Sequence, residues 1–202
     1  VIMLKNKDGA LPLREKAKVY VPKQYNAASV DFMGNSHPES WVLPVSSKLI
    51  EKYFTLVDEA TEADAAICFV RMPIVADGVV NGYSLKDKAA GGNGYVPISL
   101  QYREYTAANA REVSIAGGDV HEDFVNRSYR GKTVRTQNET DIDAVIDAKK
   151  LMGDKPVIAV ANMMGPVIVA EYEPYADALV ATIGNLSQAV MEVLAGKSEP
   201  TG

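Results

Sequence analysis

Four short runs of apolar residues limit what this chain can become. Lys18–Val21 (KVYV), Ala65–Val70 (AAICFV), Pro156–Ala161 (PVIAVA) and Ala178–Ile183 (ALVATI) hold few or no polar residues. Each is too short for a core helix and lacks the in-out alternation of a half-solvated strand. This is how a strand covered by helices on both faces reads. Tyr53–Val57 (YFTLV) is a weaker fifth candidate.

Between the runs the period changes to that of a helix. NETDIDAVIDAKKLMG predicts a helix over 138–152, with Asn138 as cap, Glu139, Asp141 and Asp143 in the first turns, Lys149 and Lys150 in the last, and Gly153 as terminator. Ile142, Val145, Ile146 and Met152 share its inward face. A second helix is expected over 187–194, with Ser187 as cap, Ala189, Val190, Val193 and Leu194 as its inward stripe, and Gly196 closing it. A third, over 45–52, puts Val45, Leu49 and Tyr53 on one side. Strands alternating with helices predict an α/β fold: a three-layer sandwich around a mostly parallel, doubly wound sheet in a flavodoxin-like arrangement.

Composition removes several classes of function. With 47% apolar and 23% charged residues the chain can bury a core, and 202 residues suit a single domain over 1–202. A net charge of -5 without a basic cluster argues against a nucleic-acid partner. The longest apolar stretches fall far short of the roughly 20 residues a bilayer span needs, so no membrane role is expected. His37 and His121 have no neighbours at ligand spacing, which predicts no metal site. The one cysteine, Cys68, sits inside AAICFV and reads as a small buried hydrophobe. There is no G-x-S-x-G elbow, P-loop or G-x-G-x-x-G run, and no cofactor is implied.

The rhythm breaks over residues 71–137, a loop-rich insertion carrying 8 of the 15 glycines and 5 of the 10 tyrosines. Only hints of a strand at Ile98–Tyr102 and a helix near Ala107–Ala116 are present. A stretch this long without regular pattern, yet rich in aromatics, reads as functional loops following the AAICFV strand. GGNGYVPISLQY (91–102) is its most distinctive text: the glycines permit close backbone approach, and Tyr95 offers a flat ring and a hydroxyl.

VIMLKNKDGALPL at the start resembles the hydrophobic-Leu-Lys-Asn-x-x-x-x-Leu-Pro-Leu junction that opens the C-terminal α/β-sandwich domain of family 3 glycoside hydrolases, the β-glucosidase and β-xylosidase group. ADAAICFV, GDKPVIAVANMMGPVIV and ADALVATIGNLSQAVMEVLAGKSEPTG are similar to three later segments of that family, in the same order. The resemblance implies one domain of a larger retaining β-glycosidase that cleaves terminal β-linked sugars. An N-terminal barrel domain of the same polypeptide would supply the nucleophile, and the domain alone would be inactive. It implies a β-linked oligosaccharide or glycoside as substrate and a periplasmic or secreted location. Val1–Leu4, apolar at the very start, suggests a surface made for another domain and a possible homodimer of this piece.

Many members of the family carry a general acid/base Glu in a Gly-Glu-Gly-Tyr context of this domain. Here the corresponding text is GVVNGYSLKD, and Asn81 stands at the Glu position; an amide has no proton to give. Asp77, Asp87 and Glu104 are the nearby carboxyl groups, with Asp87 preferred and Glu104 next. Asn81, Tyr83, Asn93 and Tyr95 are the expected substrate-binding residues. In some members the barrel holds the proton donor, leaving this domain a binding role only. A non-catalytic carbohydrate-binding or structural domain, and a flavodoxin-like binding module, are the alternatives.

Overall fold

The structure is a computed structural model and describes residues 1–31, 33–75, 79–80, 82–115, 121, 126–184 and 186–200. The chain forms two compact units, Val1–Met72 with Asn138–Gly202, and Pro73–Gln137.

The first unit is built on a six-stranded sheet. Its strands are β1 (Ile2–Asn6), β2 (Lys18–Tyr20), β3 (Thr55–Val57), β4 (Ala65–Val70), β5 (Val157–Asn162) and β6 (Ala178–Thr182). They lie in the order β1-β6-β5-β4-β2-β3. All neighbours are parallel except β1, which runs antiparallel to β6. Counted in chain order, the five parallel strands follow 2-1-3-4-5, a doubly wound α/β order. The helices are α1 (Ser47–Ile50), α2 (Leu85–Ala89, in the second unit), α3 (Thr140–Met152) and α4 (Ser187–Leu194).

All four apolar runs become strands of this sheet, with ends set by backbone chemistry. Pro156 has no N–H to donate, so β5 begins at Val157 while the Pro156 carbonyl still accepts from Ala66 N at 3.0 Å. Tyr53 and Phe54 do not join β3, because their N–H groups go to the carbonyl of Ile50 as α1 ends. The opening residues form β1, and Val1 and Met3 pack against the unit's own core.

Side-chain parity divides the sheet into two faces. Ile67, Ile158, Val160 and Val180 point into a core completed by Ile50 of α1, Phe54 just after it, and Met191 and Leu194 of α4. Each large side chain buried there stabilises the fold by roughly 1.5–3 kcal/mol. The opposite parity places Ala66, Cys68, Ala159 and Ala161 on the other face, small residues that let α3 lie close. The Cys68 thiol donates to the Ala144 carbonyl of α3 at 3.7 Å, and burial pushes its pKa up to about 12.

The motif residues hold the sheet's ends. Lys5 pairs with Glu173 at 2.6 Å, and the Asn6 carboxamide both donates to and accepts from the Leu11 backbone. Leu11 and Leu13 are buried. The two Ala-Asp pairs do equivalent jobs: Asp64 accepts from Lys18 N at 2.8 Å, and Asp177 from Val157 N at 2.9 Å, each fixing the start of a neighbouring strand. The Arg14 guanidinium at 2.7 Å, with that backbone N–H, holds the Asp64 carboxyl below its ordinary range.

Two caps differ from expectation. Asn138 donates its carboxamide to the Met72 carbonyl at 2.9 Å, and α3 starts at Thr140 with no side-chain cap from Glu139. Ser187 is the first residue of α4, preceded by Leu186, and the fully buried Met191 joins the inward stripe. Around α1, Ser46 is the cap, accepting from Leu49 N, and the helix is one turn long.

Asp141, at the head of α3, has a side chain with no solvent exposure and pairs with Arg71, just beyond β4. Its carboxylate accepts from Arg71 Nε (2.9 Å), NH2 (2.8 Å) and backbone N (3.0 Å), and from Gln24 Nε2 (3.3 Å). Arg71 also donates to Asn26 Oδ1 and the Tyr25 carbonyl, both at 2.7 Å. Asp141→Ala should destabilise the protein by about 3 kcal/mol. That is the lower end of the range for breaking a buried pair, since Arg71 keeps 26% of its side chain exposed. Chemical denaturation checks this, and a loss under about 1 kcal/mol would contradict it.

Candidate functional site

The second unit has no strand at 98–102 and no helix at 107–115, contrary to the sequence hints. Side-chain bonds to backbone bend both segments, with Ser99 Oγ donating to the Gln101 carbonyl and Asn126 Oδ1 accepting from Ser114 N, and short pairings form instead: Val79–Val80 with Tyr83–Ser84, and Tyr105–Thr106 with Thr133–Val134. Its stem is closed by a bridge between Val75 and Thr136 and a bond from Gln137 N to the Ile74 carbonyl.

Around α2 the candidate residues converge. The Ser84 hydroxyl caps the helix by accepting from Asp87 N. Asp87 Oδ2 then accepts from Gly94 N at 2.8 Å and from Lys132 Nζ at 2.6 Å. The same ammonium donates to Asn93 Oδ1 at 2.6 Å. Asn93 Oδ1 also accepts from Tyr95 N, while its Nδ2 donates to the carbonyls of Asn126 and Ser128. Lys132 thus ties a helix carboxylate to the glycine loop, and both partners lie far from it in sequence.

That loop must be glycine for steric reasons. A Cβ on Gly92 would lie 2.2 Å from Asp87 Oδ2. One on Gly94, where φ is +83°, would lie 2.4 Å from the Tyr83 ring. The close approach brings Tyr83 and Tyr95 edge to face, ring centres 5.4 Å apart, with the Arg127 guanidinium 5.4 Å from the Tyr95 ring centre.

Asp87 and Glu104 line one cleft of about 440 Å³ with Lys86, Lys132 and Arg135. The two carboxylates differ in freedom. Asp87 is held by an ammonium and a backbone N–H, while the Glu104 side chain is 57% exposed and 3.6 Å from Arg135 Nε. Asn81 and Asp77 lie outside the described residues. Lys132, Arg127 and Asn126 are the site residues that sequence reasoning missed; no local spacing marks them.

In the first unit, the crevice where the strand order reverses, between β2 and β4, is occupied by Gln24, Arg71 and Asp141. The neighbouring carboxyl ends of β4, β5 and β6 border a hollow of about 280 Å³ lined in part by Phe69, Arg71, Asn162 and Thr182. Trp41 is exposed and pairs with Tyr25, ring centres 5.3 Å apart. His37 lies 3.2 Å from Asp31, whose carboxyl the Asn35 side chain, chiefly, holds down at about 2. Among the described residues no three His, Cys, Asp or Glu side chains cluster to hold a metal ion, and no helix is long and apolar enough to cross a membrane.

The sequence matches the model of the glycosyl hydrolase family 3 C-terminal domain over residues 1–202. The chain belongs to this family. Similar solved structures include the β-glucosidase from Listeria innocua in complex with gluconolactone, at 15% identity over 100% of this chain and 24% of that one, with a TM-score of 0.47. β-Glucosidase 3B from Thermotoga neapolitana in complex with α-D-glucose matches at 15% identity over 97% of this chain and 27% of that one, TM-score 0.49. The Bifidobacterium adolescentis GH3 β-glucosidase matches at 14% identity, covering 97% and 25%, TM-score 0.45. The chain spans about a quarter of the length of these proteins. No curated protein matches it.

In this family 3 domain the glycine loop gives a direct test of the packing described. Gly91 (φ +89°) has open space around its would-be Cβ, so Gly91→Ala should cost only left-handed backbone strain, about 1–2 kcal/mol. Gly94→Ala adds displacement of Tyr83 and should cost clearly more. Thermal unfolding followed by tyrosine near-ultraviolet dichroism separates them, and equal losses would contradict the Tyr83 contact.

Proposed function

We propose that this family 3 domain lends substrate-binding loops to a retaining β-glycosidase of β-glucosidase type, acting with an N-terminal barrel domain of the same polypeptide. The substrate is a terminal β-linked oligosaccharide or glycoside, and the nucleophile belongs to the barrel. The observation that carries this reading is the Lys132 lock. It joins Asp87, Asn93 and the Gly94–Tyr95 backbone into one rigid loop carrying two edge-to-face tyrosines. A loop fixed this way positions a sugar without reordering on binding.

Retaining hydrolysis needs a carboxylic acid about 5–5.5 Å from the nucleophile, positioned to protonate the leaving oxygen. Asp87 is poorly placed for that task, because its oxygen Oδ2 is already taken by Lys132 and Gly94. In this reading Asp87 and Asn93, whose polar atoms are taken up within the loop, position it, Tyr83 and Tyr95 serve sugar binding, and the barrel supplies the proton. Glu104 is the second reading for the acid, favoured by its exposure and loose tie to Arg135.

The test is aryl β-glucoside hydrolysis by the polypeptide carrying both domains. Tyr95→Ala should raise KM up to about tenfold, the scale of one aromatic contact, with kcat little changed. Asp87→Asn and Glu104→Gln should leave the basic limb of the pH-rate profile in place. Loss of that limb in Glu104→Gln would establish the second reading, and loss in Asp87→Asn would overturn the positioning role. An unchanged KM in Tyr95→Ala would overturn the binding role.

A further inference from the structure

The connection from β3 to β4 is unusually short. Residues 58–64 cross over β2 with one turn of 3-10 helix, Ala60–Glu62. A parallel crossover that carries a covering helix takes a dozen residues or more. No helix in this connection therefore lies beside α3 over β2 and β3, although parallel strands are ordinarily covered on both faces. In its place is an open groove of about 760 Å³.

The groove has the surfaces that a helix buries. Ala144, Ala148 and Leu151 of α3 form one wall, Leu56 and Val57 of β3 belong to its lining, and Trp41 and Leu43 complete it. Asp143, Ala144, Asp147, Ala148 and Leu151 follow helical spacing, so α3 presents them as one stripe. Trp41 is 57% exposed and Leu151 58%. The carboxylates are spread along the groove: Asp58 after β3, and Asp143 and Asp147 on α3, the last paired with Lys150; Lys23 is the one cation in the lining. The Thr140 hydroxyl, at the head of the same lining, is buried with no hydrogen-bond partner among the described residues.

We propose that this groove receives an amphipathic helix of a protein partner, apolar along one face and bearing Lys or Arg on its flanks. The missing crossover leaves a slot beside α3, the aliphatic lining matches the apolar face of a helix, and the excess of carboxylates selects basic flanks. A sugar chain is disfavoured, because Leu, Val and Ala make up seven of the lining residues while Tyr20 and Trp41 alone offer ring faces to stack on.

Trp41 is the only tryptophan in the chain and lies in the groove, so its fluorescence reports occupancy directly. The probes are a synthetic helical peptide with a Leu/Ala face and Lys flanks, the same peptide with Glu flanks, and cellotetraose, each titrated into the 202-residue chain. The expected result is a saturable blue shift with the Lys peptide that weakens with salt, and binding at least tenfold weaker for the Glu peptide. Leu151→Arg and Asp147→Lys, both at exposed positions, should each weaken the Lys peptide about tenfold while leaving the melting temperature near that of the parent. No saturable shift with the Lys peptide, equal binding of both peptides, or a shift produced by cellotetraose alone would overturn the proposal. So would a shift that follows protein concentration together with a dimer in sedimentation, which would assign the groove to a second copy.

Discussion

A carboxylate sealed from water must have partners, and Asp141 draws its partners from two distant parts of the first unit. Arg71 reaches it from the end of β4 through side chain and backbone, and Gln24 from the segment after β2. Arg71 then holds Tyr25 and Asn26 on the ribbon that carries Trp41. At Met72 the chain leaves this unit and at Asn138 it returns, and the Asn138 carboxamide bonds to the Met72 carbonyl. One charge pair thus sets where β4 ends, where α3 begins and how the loops at the carboxyl ends are arranged. With the crevice between β2 and β4 filled by these side chains, the position that often holds a ligand in doubly wound sheets serves here as a structural knot.

The second unit solves the same problem with a different cation. It has little regular structure, so its order depends on side chains bonding to backbone. Lys132, Asn93 and Asn126 do most of this work, and glycine at 92 and 94 lets the loop close onto Asp87 and Tyr83. A loop held by polar bonds at several points keeps its shape while leaving a cleft that contains both acids and bases.

The strands were legible because continuous apolar runs bounded by Pro, Asp and Gly have few other ways to bury themselves. The opening LKN and LPL residues were legible as a family junction, and their physical roles became clear only in three dimensions: Lys5 finds Glu173, and Asn6 pinches Leu11. Asp141 was read as an acid complementing a helix dipole, because local pattern does not reveal that Arg71, seventy residues earlier, ends beside it. Lys132 was missed for the same reason, lying 45 residues from Asp87. Local signals overstated Ser187 as a cap and Ile98–Tyr102 as a strand. Sequence pattern reports burial and turn chemistry well, but it carries no signal for polar bonds formed between distant segments.

The proposed function makes one demand that outranks the others: the groups gathered here would bind and position a sugar, and bond cleavage would need a nucleophile from another domain. The most direct measurement is release of nitrophenol from 4-nitrophenyl β-glucoside by the 202-residue chain alone, alongside the same chain joined to the N-terminal barrel of its own polypeptide. The account predicts no release above the protein-free control for the chain alone and steady turnover for the joined protein. Steady turnover by the chain alone, abolished by a point substitution within it, would contradict the account.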